Sequence, residues 1–474
     1  MIATKKSIPT GLGMLSSMSV GIAYYERFYQ IMNKQDWLNN PETIQKSSKK
    51  YAHFDCRTDI SKCKSYISNP QNIVHHSFYP FIYFQKKTEK YNKSKGKTPK
   101  CRDIYYAAHI DRCIFQYYSF LLNEKYNKRL DNEDISRVPI AYRSNLHENN
   151  ITSAKRAFDF IKSSNSCYII IGDFSNFFDN LDHLYLKQQL CALLNVPQLS
   201  DDYYAIYKNI TRYSFWKLED LLELNNLDNN SNGWKKLNRQ KRVLSSELYK
   251  KNRNHIKKNS KNYGIPQGSS ISSVLANIYM LQTDKKVADY VHHRRGLYMR
   301  YSDDFIIIIP ESNYFHSKVD PQTDIKNILN LFKRTPNLDL QNEKTQIYKF
   351  CSSKIQNCTA DFFTDIKQTN HFINFLGFTF DGSKIRIRSK TIGKYYYRMY
   401  RKAKFIARCH GMTKNGTHIS CKNLYMKYSI RGEKAGNFLT YVERTQKIFG
   451  ESEPIRQDTK QHMQKIRKAL KGNL

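Results

Sequence analysis

The chain has 474 residues, and its 78 Lys and Arg residues outnumber its 41 Asp and Glu residues, which leaves a formal charge of +37. This length excludes a small stapled module and predicts about two or three packed units. The positive charge extends over the whole chain and favours a polyanionic partner. When Lys and Arg side chains bind the phosphates of a nucleic acid, the counterions condensed on those phosphates are released, and this release favours binding.

Three explanations of this charge are compatible with the composition: the chain binds nucleic acid, it is a basic ribosomal protein, or it binds an acidic membrane surface. Nucleic acid is favoured because 35 Tyr and 26 Phe supply rings that stack on bases. No run reaches the roughly 20 apolar residues of a membrane span. The ten cysteines include no CxxC pair, so neither a zinc ribbon nor a disulfide framework is indicated. We expect a cytoplasmic, reduced protein without a membrane partner.

The N-terminal segment, residues 1–95, is polar and rich in Lys, Asn, Ser and Tyr. Its apolar stretch from Gly11 to Ala23 is too diluted by Gly and Ser for a signal peptide. Helical periodicity follows from Ala23 to Trp37, and the KKTEKYNKSKGK segment at 86–97 is predicted to be a flexible basic linker. The segment is therefore interpreted as an N-terminal extension that ends in a linker.

From about residue 100 helices and strands are predicted to alternate. IDRCIFQYYSFLLNEKYN has apolar residues at helical spacing, and SCYIIIGDF is a short β-rich run with an acid near its end. The polar tract 224–242 is predicted to be a loop between two helices. The lysine-rich stretch 245–262 is either a solvated insertion or a nucleic-acid contact. Beyond residue 390 the chain is strongly basic, with Tyr and Arg on helical faces.

A short strand rich in β-branched residues, IIIGD, is predicted to end at Asp173. An acid at a strand end points into the cleft that the sheet lines. By itself such an Asp is more often a helix N-cap than a metal ligand. This position alone therefore leaves both roles open.

Two adjacent acids, Asp303 and Asp304, lie between apolar runs in YMRYSDDFIIII, as in the tight turn of a β-hairpin. Adjacent carboxylates repel each other, and Asn-Gly would build a polar turn with less repulsion. A divalent cation removes the repulsion. The pair therefore indicates a metal site in a hairpin turn.

A turn and a helix are predicted in GIPQGSSISSVLANIYM. Pro266 and Gly268 favour the turn, and Val274 to Met280 continue as an apolar helix. Glycine lets the backbone approach a ligand closely, and Gln267 can both donate and accept hydrogen bonds. An ordinary loop before a helix is the alternative.

The order of these three segments, followed by NLDLQNEKTQ and INFLGFTF, resembles the palm motifs of reverse transcriptases, lettered A to E. The resemblance is closer to the bacterial branch of group II introns, retrons and defence-associated enzymes than to the retroviral branch. It implies an α+β fold, the right-hand polymerase fold. The implied units are an N-terminal extension and basic linker at 1–95, fingers and palm at 96–390, and a basic helical thumb at 391–474.

The same resemblance implies the catalytic site. Asp173, Asp303 and Asp304 are expected to be catalytic and to bind two Mg²⁺ ions, for which Mn²⁺ can substitute. The backbone carbonyl of Phe174 is expected to face the metal. Asp179 is a weaker candidate because it lies six residues after Asp173 and is expected to cap or brace the next helix.

Further residues are expected to contact the nucleotide and the primer. A bulky ring at Phe178 is expected beneath the sugar, where it excludes a ribose 2′-hydroxyl, and Lys344 is expected to protonate pyrophosphate. Core packing and a solvated lysine are the respective alternatives. The implied nucleotide-binding residues are Lys100, Arg102, Phe178, Gln267, Gly268 and Lys344, and the implied primer grip is Leu376 and Gly377.

The implied activity is that of an RNA-directed DNA polymerase, a nucleotidyltransferase that adds dNTPs to a 3′-hydroxyl on an RNA template and makes a DNA product. About 85 residues follow the palm, with no VTG tripeptide, RNase H-like acidic set or CxxC-bearing nuclease. Elimination therefore favours a stand-alone enzyme of antiviral (antiphage) defence that copies a partner noncoding RNA or polymerises without an ordinary template. The alternatives are a mobile-element, group II intron-like enzyme and a catalytically silent RNA-binding scaffold. The template, the primer and the oligomeric state, a homo-oligomer included, stay open.

Overall fold

The structure is a computed structural model of the chain and describes residues 33–92, 96–311, 320–363, 370–413, 415–419 and 421–471. The signal-like stretch, and the part of the predicted Ala23 to Trp37 helix that precedes residue 33, lie outside the described residues. Among the helices of those ranges, none combines the length and the apolar character that a bilayer span requires.

The described residues form twelve strands and eighteen α-helices. The strands are β1 (Phe81–Asn92), β2 (Gly96–Tyr106), β3 (Ser166–Asp173), β4 (Ser214–Lys217), β5 (Lys257–Lys258), β6 (Leu297–Tyr301), β7 (Asp304–Pro310), β8 (Gln346–Cys351), β9 (Lys354–Asn357), β10 (Ile373–Phe375), β11 (Phe378–Phe380) and β12 (Ile385–Ile387). The helices up to the insertion are α1 (Lys34–Asn39), α2 (Pro41–Ser47), α3 (Ile60–Ser68), α4 (Pro70–Val74), α5 (His109–Asn132), α6 (Asn150–Ser163), α7 (Phe177–Asn180), α8 (His183–Leu194) and α9 (Asp201–Thr211). The remaining helices are α10 (Leu218–Glu223), α11 (Ser231–Leu237), α12 (Ser246–Lys251), α13 (Ser272–His292), α14 (Pro321–Lys333), α15 (Ser389–Arg408), α16 (Lys422–Tyr428), α17 (Phe438–Phe449) and α18 (His462–Leu470).

The palm is built on a five-stranded sheet in the order β6-β7-β3-β8-β9, in which every neighbouring pair is antiparallel. Successive residues of a strand point to opposite faces. Ile170 and Ile307 accordingly belong to one apolar cluster, with α5, α13 and α14, whereas Ile169 and Ile306 belong to another, with α6 and the C-terminal helices. The predicted strand that ends at Asp173 is confirmed.

A long antiparallel hairpin occupies the described part of the segment predicted to be a flexible basic linker, 86–97. β1 and β2 pair continuously from Ile82 opposite Tyr106 to Asn92 opposite Gly96. β1 also pairs in parallel with β4. The linker prediction was wrong because it used polar composition alone. The aromatic and β-branched residues near the core fix the register, and the backbone ladder carries that register through the polar part.

The predicted N-terminal extension packs into the same apolar cluster as the fingers. Leu38, Ile60 and Ile73 are buried in it together with Tyr118 of α5. The division at residue 95 stays a prediction. The described helices before it share their core with the residues that follow.

An insertion at residues 214–261, which we call the basic insertion, separates α9 from the loop before α13. Its β4 and β5 extend the hairpin sheet to the order β2-β1-β4-β5, and α10–α12 surround a small apolar cluster that contains Trp216. The loop predicted at 224–242 was wrong in part, because Ser231–Leu237 form α11. The Asn content suggested a loop, but Asn is also a favoured N-cap, and the Asn230 side chain accepts two backbone amide hydrogen bonds at the start of α11.

The helical structure predicted beyond residue 390 is confirmed by α15–α18, which pack against the second face of the palm sheet. Met399 and Ala403 of α15 are fully buried there. Glu453 joins this region to the palm, because it pairs with Lys162 of α6 at 2.6 Å and accepts a hydrogen bond from the Ile385 amide at 2.6 Å.

His53 is a fully buried histidine between the N-terminal helices and the basic insertion. Its Nδ1 accepts a hydrogen bond from the Phe54 amide, its Nε2 lies 3.2 Å from the Tyr106 carbonyl oxygen, and its own carbonyl accepts from the Val243 amide. The pKa of His53 is lowered from 6.5 to about 3, chiefly by burial and in part by the neighbouring His109, against the opposing effect of the Tyr106 carbonyl. The imidazole is therefore neutral in the folded chain.

We expect His53 to make the fold sensitive to acid. Its folded pKa lies below its unfolded value, so protonation favours the unfolded chain, and stability that is present above pH 6.5 is lost as the pH falls toward 3. This group alone should lower the free energy of unfolding by roughly 2 kcal/mol between pH 6.5 and pH 5. Urea unfolding at both pH values should show that His53→Gln removes this loss, whereas the exposed His292→Gln does not. An unchanged pH dependence in His53→Gln would contradict the expectation.

Candidate active site

The hairpin turn between β6 and β7 places two acids beside the end of β3, as the sequence predicts. Asp304 lies opposite Asp173 in the ladder, and the Phe174 amide donates a hydrogen bond to the Asp303 carbonyl at 3.2 Å. Ser302 has a φ of 61°, in the left-handed region that a two-residue hairpin turn requires. Acids that are distant in sequence therefore meet at one end of the palm sheet.

Negative charge is concentrated at this end. The carboxylate of Asp303 lies close enough to that of Asp173 to interact with its charge, and burial, followed by that charge, raises the pKa of Asp303. The pKa of Asp304 is raised to about 7, first by loss of hydration and then by the charges of Asp303 and Asp173. The Asp304 side chain is nevertheless open to solvent. Because three acids lie together at this end, the site favours added positive charge.

A lysine side chain of the protein itself pairs with one of these acids. Lys344 ends a short 3-10 helix, Asn342–Lys344, and its ammonium pairs with Oδ2 of Asp173. The other oxygen of Asp173, Oδ1, is buried and has no hydrogen-bond donor. Leaving a buried acceptor unsatisfied costs about 1–3 kcal/mol. This oxygen is therefore available as a ligand atom.

The donor set fits a hard divalent cation. Carboxylate oxygens are the ligands that Mg²⁺ prefers, and a cation would satisfy both the repelling pair and the unpaired oxygen. Asp173 and Asp303 would hold it. Within the ranges that the structure describes, no three His, Cys, Asp or Glu side chains are close enough to form one ligand group. The structure thus brings together a pair, and the ligand roles predicted for Asp304 and the Phe174 carbonyl stay predictions.

A buried network supports the hairpin turn from within the palm, and the sequence reasoning missed it. Arg300 and Asp284 are both fully buried and paired at 2.6 Å. Arg300 also donates to the Ser302 carbonyl at 2.9 Å and to the Asn277 side-chain oxygen at 3.3 Å, and the Tyr298 hydroxyl donates to Asp284 at 2.8 Å. The available signal was an arginine inside an apolar strand, because a buried arginine requires a partner.

The turn predicted at Pro266 to Gly268 and the helix after it are confirmed. Gly268 has a φ of 112°, and a Cβ there would lie 2.5 Å from the Tyr105 carbonyl oxygen, so the position requires glycine. The Gln267 carbonyl accepts a hydrogen bond from the Tyr105 amide at 2.8 Å. The loop is thereby fixed against β2 of the long hairpin.

Asp179 is held by Gln267 and does not cap the next helix. The Gln267 side-chain amide donates to both Asp179 carboxylate oxygens at 3.2 Å. The N-cap of α8 is Asp182, which accepts a hydrogen bond from the Tyr185 amide. The capping role expected for Asp179 was therefore wrong, because a second acid three residues further on lies at the helix start.

Phe178 lies beside the same loop. Its ring packs edge-on against Phe177 with centroids 5.5 Å apart, and its carbonyl accepts a hydrogen bond from the Ile265 amide at 2.9 Å. Part of the ring packs against the apolar cluster of the fingers and palm. Core packing is thus observed, and the role beneath the sugar stays a prediction.

Lys100 and Arg102 lie on β2, the strand that contacts the Gln267 loop through Tyr105. Being two residues apart, they share one face of the strand. The Arg102 side chain is exposed. Their position agrees with a role near the nucleotide, and their contact with a triphosphate stays a prediction.

The predicted primer grip, Leu376 and Gly377, forms the turn between β10 and β11, with φ values of 46° and 93°. The Leu376 carbonyl accepts from the Asn150 side-chain amide at 3.2 Å, and the Gly377 carbonyl accepts from the Arg388 amide at 3.0 Å. The turn is therefore fixed where the palm meets the C-terminal helices. Its contact with a primer stays a prediction.

Comparison with known proteins places this site in a family. Residues 121–380, more than half of the chain, match the family described as reverse transcriptase (RNA-dependent DNA polymerase). No curated protein matches the chain. Its structure resembles apo telomerase from Candida tropicalis truncated from its C-terminal domain, with 13% identity, a TM-score of 0.37, and coverage of 70% of this chain and 61% of that one. It also resembles telomerase from Candida albicans in complex with a TWJ fragment of telomeric RNA, with 14% identity, a TM-score of 0.36, and coverage of 87% and 65%.

The chain covers less than two thirds of either telomerase. The family match, in contrast, includes all five palm motifs, from the strand that ends at Asp173 to the turn at Leu376 and Gly377. The right-hand polymerase fold predicted from the sequence is confirmed, and the predicted enzyme class is that of the family. The chain belongs to the reverse transcriptase family, whose members are RNA-directed DNA polymerases and therefore nucleotidyltransferases.

Proposed function

We propose that the chain joins dNTPs to a primer 3′-hydroxyl on an RNA template and releases pyrophosphate. The observation that carries the proposal is the approach of Asp173 to Asp303, with an unpaired buried oxygen and the ammonium of Lys344 beside them. Two Mg²⁺ ions held there, or Mn²⁺ in their place, would supply charge stabilisation for the attacking and leaving oxygens. Asp304 is proposed as an additional ligand.

The side chains around these acids have separate tasks in this proposal. Lys344, already on the Asp173 carboxylate, is positioned to give a proton to the departing pyrophosphate. Gln267 and Gly268 form the wall beside the nascent base pair, and the guanidinium of Arg102 offers paired contacts to phosphate oxygens.

A primer-extension assay tests the proposal. The purified chain is incubated with Mg²⁺, labelled dNTPs and a DNA primer annealed to an RNA template. We expect label to enter a polymer that grows from the primer. Persistent binding of the RNA without incorporation would contradict the polymerase and support the silent scaffold instead.

Phe178 is expected to select deoxynucleotides; the support is that its carbonyl holds the Ile265 amide in the loop that carries Gln267. Shortening it in Phe178→Ala should lower the preference for dNTPs over rNTPs, measured as a ratio of kcat/KM values, by about 10- to 100-fold. Phe178→Tyr keeps the ring and should keep the preference. A folded Phe178→Ala chain with unchanged selectivity would assign the ring to core packing alone.

We further propose that the template is a partner noncoding RNA and that the enzyme acts in antiphage defence in the bacterial cytoplasm. The support is the surplus of 37 positive charges, which suits an RNA partner, and the resemblance of the palm motifs to those of the bacterial branch. Sequencing the nucleic acid that co-purifies with the chain tests the template. An RNA that encodes the chain within an intron would favour the mobile-element alternative. Unchanged phage plating after deletion of the RNA and after Asp303→Asn would contradict the defence role.

A further inference from the structure

The C-terminal part of the basic insertion carries a dense positive charge. Between residues 235 and 261 the sequence has one acid, Glu247, and eleven basic residues. All eleven are exposed: Lys235, Lys236, Arg239, Lys241, Arg242, Lys250, Lys251, Arg253, Lys257, Lys258 and Lys261. In the ranges that the structure describes, none of them forms an ion pair with a carboxylate.

This charge is held on a folded unit. Trp216, Leu221 and Val243 are fully buried beneath it, and the Asn225 side-chain amide donates to the Val243 carbonyl at 2.9 Å. A flexible tail could disperse its charges, but a packed core fixes them near one another, and their mutual repulsion is relieved when phosphates bind. The basic residues are thus arranged as a fixed surface.

The surface lies near the candidate active site. The sheet order β2-β1-β4-β5 puts β5 three strand spacings, about 14 Å, from β2, and β2 contacts the Gln267 loop through Tyr105. The chain returns from the insertion directly to that loop, because the Asn259 amide donates to the Tyr213 carbonyl and the Asn262 carbonyl accepts from the His183 amide. A strand bound to the insertion can therefore continue to the nucleotide pocket.

The chemistry of the surface favours a phosphate backbone over a lipid bilayer. Among its large apolar residues only Leu248 is exposed, and its helices α11 and α12 have seven and six residues. A membrane-surface helix needs a continuous apolar face to insert, which such helices do not provide. Phosphates require only exposed cations.

We propose that the basic insertion binds the phosphate backbone of a nucleic-acid strand outside the catalytic cleft and guides it toward the Gln267 loop. The inference rests on the proposed function for the identity of that strand, which is the template RNA. Binding depends on charge and not on base sequence.

The insertion also contains four acids before the basic stretch, in α10 and the loop after it. One of them, Asp220, lies 3.4 Å from His255.

The test compares two triple variants of the full chain. Lys250→Gln, Lys251→Gln and Arg253→Gln remove three charges at α12. The matched control Lys34→Gln, Lys62→Gln and Lys128→Gln removes three exposed charges elsewhere. Fluorescence anisotropy with a labelled RNA that has a long single-stranded template tail measures affinity over a range of KCl concentrations. Turnover on a short primer–template that fills only the cleft is measured in parallel.

We expect the α12 variant to lose at least tenfold in affinity for the long-tailed RNA at low salt. The slope of log affinity against log salt should fall by about 2, since each phosphate contact on a single strand contributes about 0.7. Turnover on the short substrate and thermal stability should be unchanged, and the control should keep both affinity and slope. A second set, Lys235→Gln, Lys236→Gln and Arg239→Gln, should reproduce the loss independently.

Three results would overturn the proposal. Equal losses in the control would show a non-specific effect of net charge, and a selective loss for a DNA tail of the same sequence would overturn the RNA assignment. Unchanged RNA affinity together with lost flotation on vesicles containing phosphatidylserine would assign the surface to a membrane. Because binding is read without catalysis, a chain that never extends a primer but loses RNA affinity through the insertion would contradict the proposed polymerase and not this inference.

Discussion

Asp303→Asn should lower the rate of primer extension by about 10³-fold and leave the thermal midpoint unchanged or higher. The loss of rate is that expected when a group stabilising transition-state charge is removed. The midpoint should not fall, because burial and the charge of Asp173 already raise the pKa of Asp303, so the folded chain bears a repulsion that a neutral amide relieves. Activity is thus expected to fall without a loss of stability.

Single-turnover extension and differential scanning calorimetry measure these two quantities. Asp361→Asn changes an exposed Asp of the 3-10 helix Thr359–Asp361 and should alter neither. Asp173→Asn should also abolish extension, but it separates Lys344 from its partner and so lacks the same relief. Normal extension by a folded Asp303→Asn chain would remove Asp303 from the reaction.

The elements around the catalytic acids could be predicted from the sequence because local pattern and covalent order determine them. Apolar runs on either side of Asp303 and Asp304 fit only a hairpin with the acids at its turn, and β-branched residues before Asp173 fit a buried strand. Gly268 marked a close backbone approach, and the structure has the Tyr105 carbonyl in the space that a Cβ would occupy. The motif order then related these segments to one family.

The features that the sequence did not predict depend on contacts between distant segments. The lysine-rich part of β1 is a strand because β2 pairs with it residue by residue, while β4 pairs only with the start of β1, and composition reveals neither contact. Residues 231–237 are helical because Asn230 caps them over a core supplied partly by Phe54 and Ile82. In both cases the segment itself is polar, and the hydrogen-bonded strand or apolar core that orders it is supplied by distant parts of the chain. The same polarity left both a solvated insertion and a nucleic-acid contact open for the lysine-rich stretch 245–262.

The pairing of Arg300 with Asp284 is another contact between distant segments: the apolar strand around Arg300 indicates that it needs a partner, but not which one. Its removal is the second large expected effect. Removing one partner leaves a charge buried without compensation, which costs about 3–5 kcal/mol. Arg300→Met alone should therefore strongly destabilise the chain. Replacing both partners, in Arg300→Met with Asp284→Leu, should recover most of that loss, because apolar residues often substitute for a buried ion pair without net loss.

Turnover should not recover with stability. In both variants the Ser302 carbonyl loses the guanidinium that donates to it, so the turn bearing Asp303 is no longer held from within the palm. A small displacement of catalytic groups can lower the rate about 10²-fold, and we expect that loss in kcat, with little change in KM, even in the stable double variant. The matched double variant Arg294→Met with Asp324→Leu removes a second ion pair, between the turn after α13 and α14, and should change stability without lowering kcat. If the Arg300 and Asp284 double variant regained full turnover, the pair would serve the fold alone. Failure to regain it would make Arg300 a positioning residue for the catalytic turn.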